Sequence, residues 1–274
     1  MPASSQRLRN KYPIPDAAIS TSLHPPFLQD DSSKAIPGTV PKWITPVVTP
    51  GKTAIVLLQN GIGIEEEYRT AFPTNPIVST VLYLPATQRP AGIIKHGEIE
   101  RLEAGAYPSS ASNSYAKAFV QLIKSAGGTA NLHDDIQLIR WTKLLINASW
   151  NPICALAFSK DTDVLGSCDE ATDVVQGVML EIRDIAMAYG YEITKEKVDF
   201  ELGRAKARVP IDAGIEPSML QDVQTGRRIE VESILGNTVR MAKAKGVKCD
   251  RVELLYVLAK TLDLHMGRKL DAPL

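Results

Sequence analysis

Lys143, Asn147 and Asn151 recur at intervals of four inside an otherwise apolar segment that ends at Pro152. At about 100° per residue, side chains so spaced line one face of a single helix. Burying an ammonium and two amides without partners costs several kcal/mol, so something must satisfy them. Two readings fit the spacing. In one, the lysine snorkels to water and the asparagines bridge neighbouring helices or an ordered water. In the other, the face walls a cleft, where a partly desolvated lysine can protonate a carbonyl oxygen as hydride arrives and the amides hold substrate oxygens in register. Pro152 lacks the N–H that would bond the carbonyl of residue 148, and a proline there kinks or ends a helix.

Other residues could join such a site. Asn60 stands in Leu58-Gln59-Asn60-Gly61-Ile62-Gly63, at the end of an apolar run; taken singly, Asn-Gly is a turn. Ser218 opens Ser-Met-Leu-Gln-Asp and precedes Glu230 by twelve residues. By themselves these read as an N-cap and as a first-turn acid favoured by the helix dipole. His96 falls in hairpin-like sequence, and the four histidines, His24, His96, His133 and His265, show no metal-ligand spacing. No metal site is expected.

Positioning these residues takes two kinds of architecture. Residues 1–48 hold eight of the 18 prolines and no regular apolar periodicity, so an irregular segment is expected there. Thr53 to Leu58 is a buried strand, Ile77 to Leu84 a second, and Gly92–His96 with Glu100–Leu102 alternate like a hairpin. Asn113–Ala126 has helical spacing, an asparagine start and a Gly127-Gly128 stop. From Asp134 onward the pattern is helical, over about 134–151, 169–189, 195–207, 230–245 and 250–265, with Gly190, Gly203 and Gly246 where helices should end.

Composition narrows the function classes. Thirty-one basic side chains balance 31 acidic ones, so no overall field favours nucleic acid or an anionic membrane. Three scattered cysteines fit a reducing compartment better than a disulfide framework. Arg7, Arg9 and Lys11 are followed by no signal-like apolar run, and no run reaches the roughly 18 apolar residues of a membrane span. A cytoplasmic protein that binds neither nucleic acid nor membrane is the expectation.

Lys-Leu-x-x-Asn-x-x-x-Asn-Pro, here Lys143 to Pro152, is similar to the signature of the 2-dehydropantoate 2-reductase (ketopantoate reductase) family. Leu58–Gly63 resembles that family's strand-end motif. Ala86, Pro90, Gly92 and His96 resemble its next stretch, with Ala91 inserted, and Ser218–Asp222 with Glu230 matches its third site segment. Together these run in the family's order over about residues 53–265. The resemblance implies a Rossmann-like NADP-binding domain followed by a helical domain like the C-terminal one of 6-phosphogluconate dehydrogenase. It also implies NADPH reduction of a 2-oxo acid. Lys143 would be the general acid, Asn147, Asn151 and Ser218 would hold substrate, and Asn60 would lie between substrate and cofactor. Glu230 would bond the reacting oxygen and support the cofactor.

One family feature is missing. The glycine-rich loop that holds a dinucleotide diphosphate should open the chain, yet no glycine precedes Gly38. Gly61-x-Gly63 is followed by Ile64-Glu65-Glu66, whose carboxylates would repel phosphate. The expected fold is therefore α/β plus all-α: irregular residues 1–48, a partial Rossmann-like parallel sheet over 49–134 and a helical substrate and dimerisation domain over 135–274. A fragment, a true short protein and a subunit completed by a partner all fit this pattern, and a sheet with uncovered edges argues for a homodimer. The alternative function is a non-catalytic ligand-binding or scaffold protein without nicotinamide turnover.

Overall fold

The computed structural model describes residues 17–20, 36–88, 92–97 and 99–270. Their contacts form two compact units: the strand Ala17–Ser20 with 41–59 and 65–136, and then 36–40, 60–64 and 137–270. Most of the segment expected to be irregular, together with Pro90, Ala91 and His24, lies outside the described residues.

The first unit is a five-stranded sheet in the order β1 (Ala17–Ser20), β2 (Ala54–Leu57), β3 (Ile77–Tyr83), β6 (Arg101–Tyr107), β7 (Ala130–Leu132). Every residue of β2 is buried, as expected of a strand with both faces covered, and it pairs in parallel with β1 and β3. The sheet is not wholly parallel, because β6 runs antiparallel to β3. Two expectations need correction here. Residues 1–48 are not irregular throughout, since β1 takes the edge of β2 and a short helix, α1, spans Thr39–Ile44. The hairpin joins β4 (Ala86–Gln88) to β5 (Ile94–His96), whereas Glu100–Leu102 leads into β6 of the main sheet. Alternation alone marks a strand but not its partner.

Helices α2 (Glu65–Ala71) and α3 (Ser114–Ser125) belong to this unit, as does most of α1. Phe119 and Val120 of α3 pack with Val56, Val78 and Leu102 of the sheet. Asn113 precedes α3 as expected but makes no cap bond. Its carboxamide instead accepts from the Ala106 N–H (2.8 Å) and donates to the His133 carbonyl (3.2 Å), joining β6 to the segment after β7.

The second unit is helical: α4 (Gln137–Asn147), α5 (Trp150–Ala157), α6 (Asp161–Leu165), α7 (Ala171–Ala188), α8 (Lys195–Lys206), α9 (Ser218–Gln224), a π turn (Glu232–Gly236), α10 (Asn237–Lys245) and α11 (Asp250–Leu270). Its core runs from Trp141, Leu144 and Leu145 of α4 through Val178, Met179 and Ile182 of α7 to Val252 and Ala259 of α11. Gly190 and Gly246 follow α7 and α10 with positive φ, where only glycine is unstrained. Gly203 does not end a helix but sits inside α8.

The expected single helix over 134–151 is two helices, broken at Ala148 and Ser149. Pro152 accounts for the break. It falls in the first turn of α5, where its missing N–H removes no intrahelical bond, while a continuous helix would have needed that N–H for the Ala148 carbonyl. Ser149 bridges the break by donating its hydroxyl to the Leu145 carbonyl at 2.6 Å.

Candidate functional site

Three of the singled-out residues form one hydrogen-bonded chain inside the helical unit. Lys143 Nζ donates to Asn60 Oδ1 (2.9 Å), and Asn60 Nδ2 donates to Glu230 Oε2 (3.2 Å). The carboxamide can sit only this way round. Turned over, its NH2 would face the ammonium and its carbonyl the carboxylate, and both contacts would be repulsive. Glu230 is buried and Lys143 half-buried.

The sequence places each residue for a local reason. Lys143 shares one face of α4 with Arg140 and Asn147, flanking the apolar face of Trp141, Leu144 and Leu145 that packs into the core. Asn60 belongs to the segment 60–64, which packs with the helical unit although it directly follows the first unit's Gln59. Gly61 makes that placement possible. Its φ is +104°, and a Cβ there would lie 2.3 Å from the Ser233 carbonyl oxygen, so no other residue fits. That carbonyl belongs to the π turn and accepts from the Ile62 N–H (3.0 Å), as Asn237 Nδ2 donates to the Ile62 carbonyl (2.7 Å). The π turn thus supplies the edge on which 60–62 rest, a use of such bulges that recurs at functional sites.

Glu230 is set by its neighbours. Asp263 on α11, fully buried, accepts two bonds from Arg228 (2.7 and 2.5 Å) and one from the Ile229 N–H (3.1 Å), which fixes the backbone entering Glu230. Glu230's own carbonyl accepts from the Ile234 N–H. Glu230 therefore precedes the helical turn, carboxyl inward, rather than serving as a solvated first-turn acid.

The remaining site residues stand apart from this chain. Asn147 is half-buried, one turn after Lys143 on α4. Asn151 is buried on α5, across the break, so the three-residue stripe does not continue along one helix. Ser218 is exposed and is the first residue of α9, which packs against α5. It is not the N-cap, a position held by Pro217 with no side-chain bond. His96 is exposed in the β4–β5 hairpin, and His133 bonds to Glu103 (2.7 Å). Among the described residues, no group of three or more His, Cys, Asp or Glu could hold a metal.

Burial drives the Lys143 pKa down to about 8, helped by the positive charge of Arg140 and opposed by Glu230. Such a lysine is mostly charged at neutral pH, yet it gives up its proton far more readily than an exposed one. That suits a proton donor to an oxygen that gains negative charge. Arg140 was not singled out from sequence, although it precedes Lys143 by three residues and Asn147 by seven and so shares their face. It is buried and donates to the Gly61 carbonyl at 2.8 Å. Asp263, Ser233 and Asn237 carried no comparable signal.

The polar set fits the reacting end of a nicotinamide cofactor, with an ammonium, an amide and a carboxylate in series. The Gly61–Gly63 turn does not fit its diphosphate. Gly61 is closed against Ser233, and the first turn of the helix that follows carries Glu65, Glu66 and Glu67, whose negative charge opposes that of phosphate.

Comparison with known proteins gives one family. Residues 135–263 match the family described as ketopantoate reductase PanE/ApbA C terminal, and residues 37–109 match ketopantoate reductase PanE/ApbA. The chain is 30% identical over 217 residues to a 2-dehydropantoate 2-reductase of Pyrobaculum aerophilum, covering 78% of this chain and 71% of that protein. It is 28% identical over 228 residues to one of Nostoc sp., covering 82% and 70%. The crystal structure of 2-dehydropantoate 2-reductase from Methylococcus capsulatus matches with a TM-score of 0.72 at 27% identity, over 91% of this chain and 74% of that one.

Proposed function

Since this chain belongs to the ketopantoate reductase family, we propose that it reduces the ketone of a 2-oxo acid, 2-dehydropantoate being the family's substrate, with NADPH as the source of hydride. The observation that supports this reading is the chain Lys143–Asn60–Glu230, in which a half-buried ammonium and a buried carboxylate bond to the two ends of one carboxamide.

Bound NADPH would supply hydride to the ketone carbon; the rest falls to this chain's own side chains. Lys143 gives a proton to the ketone oxygen and is left as a neutral amine, the form that burial and Arg140 favour. Glu230 accepts a hydrogen bond from the new hydroxyl. Asn60 holds lysine and carboxylate in register, Asn147 and Asn151 position the substrate, and Ser218 binds its carboxylate. The protein works in the cytoplasm, where its three free cysteines stay reduced. A homodimer completes the proposal. Leu254, Val257, Leu258 and Leu264 form an exposed apolar stripe on α11 that a second copy would cover.

The test follows NADPH consumption with 2-dehydropantoate. Turnover is expected in the parent and lost in Lys143→Ala, with the circular dichroism of the two proteins identical. A well-folded parent that neither binds NADPH nor turns over would reject the reductase reading and leave a non-catalytic binding protein.

A further inference from the structure

Arg140 is a buried guanidinium one helical turn before Lys143, with a 2.8 Å bond to the carbonyl of Gly61. That carbonyl follows directly on Asn60, whose carboxamide joins Lys143 to Glu230. The turn is gripped from the other side as well, where Ile62 bonds to the Ser233 carbonyl and Gly61 lies too close to Ser233 to admit a Cβ. Taking a guanidinium out of water costs several kcal/mol, and hydrogen bonding must offset it. A carboxamide on a two-residue turn would otherwise be free to swing.

We propose that Arg140 is a positioning residue for the Lys143–Asn60–Glu230 chain, holding the Gly61 carbonyl so that the Asn60 carboxamide stays between ammonium and carboxylate. The proposal rests on the reading of Lys143 as the proton donor. Its second effect is electrostatic: a fixed positive charge one turn away favours the neutral form of Lys143.

Further charges lie on the elements packed against α4. Glu230 faces it through Asn60 and acts in the opposite direction. Helices α5, α7 and α8 pack against α4. Of these, α5 has no charged residue. On α7, Glu181 pairs with Arg251 and Arg183 with Asp184, and Asp173 is exposed. On α8, Lys195 pairs with Asp199, Lys197 and Arg204 pair with Glu201, and Glu196 and Lys206 are exposed.

The test titrates Lys143 directly, by NMR of protein carrying carbon-13 at lysine Cε, with the signal assigned by its loss in Lys143→Arg. The parent should titrate near 8. Arg140→Gln should raise that midpoint by about one pH unit, and Arg140→Lys, which restores the charge, should return it toward the parent. The Lys variant reaches less far toward Gly61, so the side-chain amide resonance of Asn60 should shift or broaden in both variants. Should Arg140→Gln fail to fold, Arg140→Lys alone decides through the Asn60 amide. An unchanged Lys143 midpoint in folded Arg140→Gln, or an unmoved Asn60 amide in Arg140→Lys, would overturn the proposal. No step of this uses turnover. A moved midpoint together with a moved Asn60 amide, in a protein that reduces no 2-oxo acid, would uphold Arg140's hold on the turn and reject the reductase reading alone.

Discussion

Lys143 donates to Asn60 at 2.9 Å across 83 residues of sequence, and the same carboxamide carries the contact on to Glu230. Replacing Asn60 with Leu keeps the side chain's volume and removes both bonds. Hydrogen bonds to charged groups contribute about 1.5–3 kcal/mol each, so kcat/KM for the 2-oxo acid should fall roughly 10- to 100-fold. Asn60→Asp should do more harm, since it sets a carboxylate against Glu230. Steady-state kinetics on folded variants checks both, and a kcat/KM unchanged in Asn60→Leu would remove the carboxamide from the reaction.

The depressed lysine makes two pH predictions. If Lys143 is the acid, the rate of reduction is level below pH 8 and declines above it as the proton is lost. Stability moves the other way. Between about 8 in the folded state and 10.5 in the unfolded state, the unfolded chain binds more protons, so folding becomes more favourable as pH rises through that window. Below pH 8 the folded state carries the full penalty of a charged, half-buried ammonium. Urea unfolding at several pH values should show the parent gaining about 2–3 kcal/mol relative to Lys143→Met across the window. A constant difference between the two proteins would mean that Lys143 titrates as an ordinary lysine.

Much of this was legible because it is local. Ala54–Leu57 and Ile77–Tyr83 read as strands from unbroken apolar runs, and α7, α8, α10 and α11 from helical spacing, with glycine stops after α7 and α10. What the sequence hid is long-range or depends on backbone detail. Periodicity put Lys143, Asn147 and Asn151 on one stripe, but Pro152 turns the chain at Ala148 and Ser149 and sends Asn151 onto another helix. Nothing local says that 60–64 leaves the strand before it to pack with the helical unit, because the Ser233 carbonyl that receives it is set by a π turn about 170 residues later. Residues 1–48 read as irregular because prolines dominate the segment, whereas Ala17–Ser20 is short and becomes a strand through its pairing with β2.

Gly61 and Gly63 make a sharp comparison, since both have positive φ and only one is crowded. A Cβ on Gly61 meets the Ser233 carbonyl oxygen at 2.3 Å, and on Gly63 nothing lies closer than 3.7 Å. Gly63→Ala should therefore lose only the backbone strain, about 1 kcal/mol. Gly61→Ala adds a clash against backbone that cannot rotate away, and should lose about 2–3 kcal/mol and displace Asn60 with it. Chemical denaturation ranks the two variants, and equal losses would show that Ser233 does not constrain the turn.

Asp263 offers a test of how Glu230 is held. It accepts from both the Arg228 side chain and the Ile229 N–H while fully buried, and in the described structure it touches none of the proposed reacting groups. Asp263→Asn keeps the shape but removes the buried carboxylate charge to which Arg228 donates, which should destabilise the protein by about 3 kcal/mol. Slackening the backbone at Ile229 also lets the Glu230 carboxyl drift from Asn60. Activity should therefore fall through kcat more than through KM, because Glu230 meets the hydroxyl only as it forms. Compensating loss of both partners, in Arg228→Met with Asp263→Leu, should recover most of the stability but not the rate. Full recovery of kcat in that double variant would show that the Arg228–Asp263 pair contributes to the fold alone.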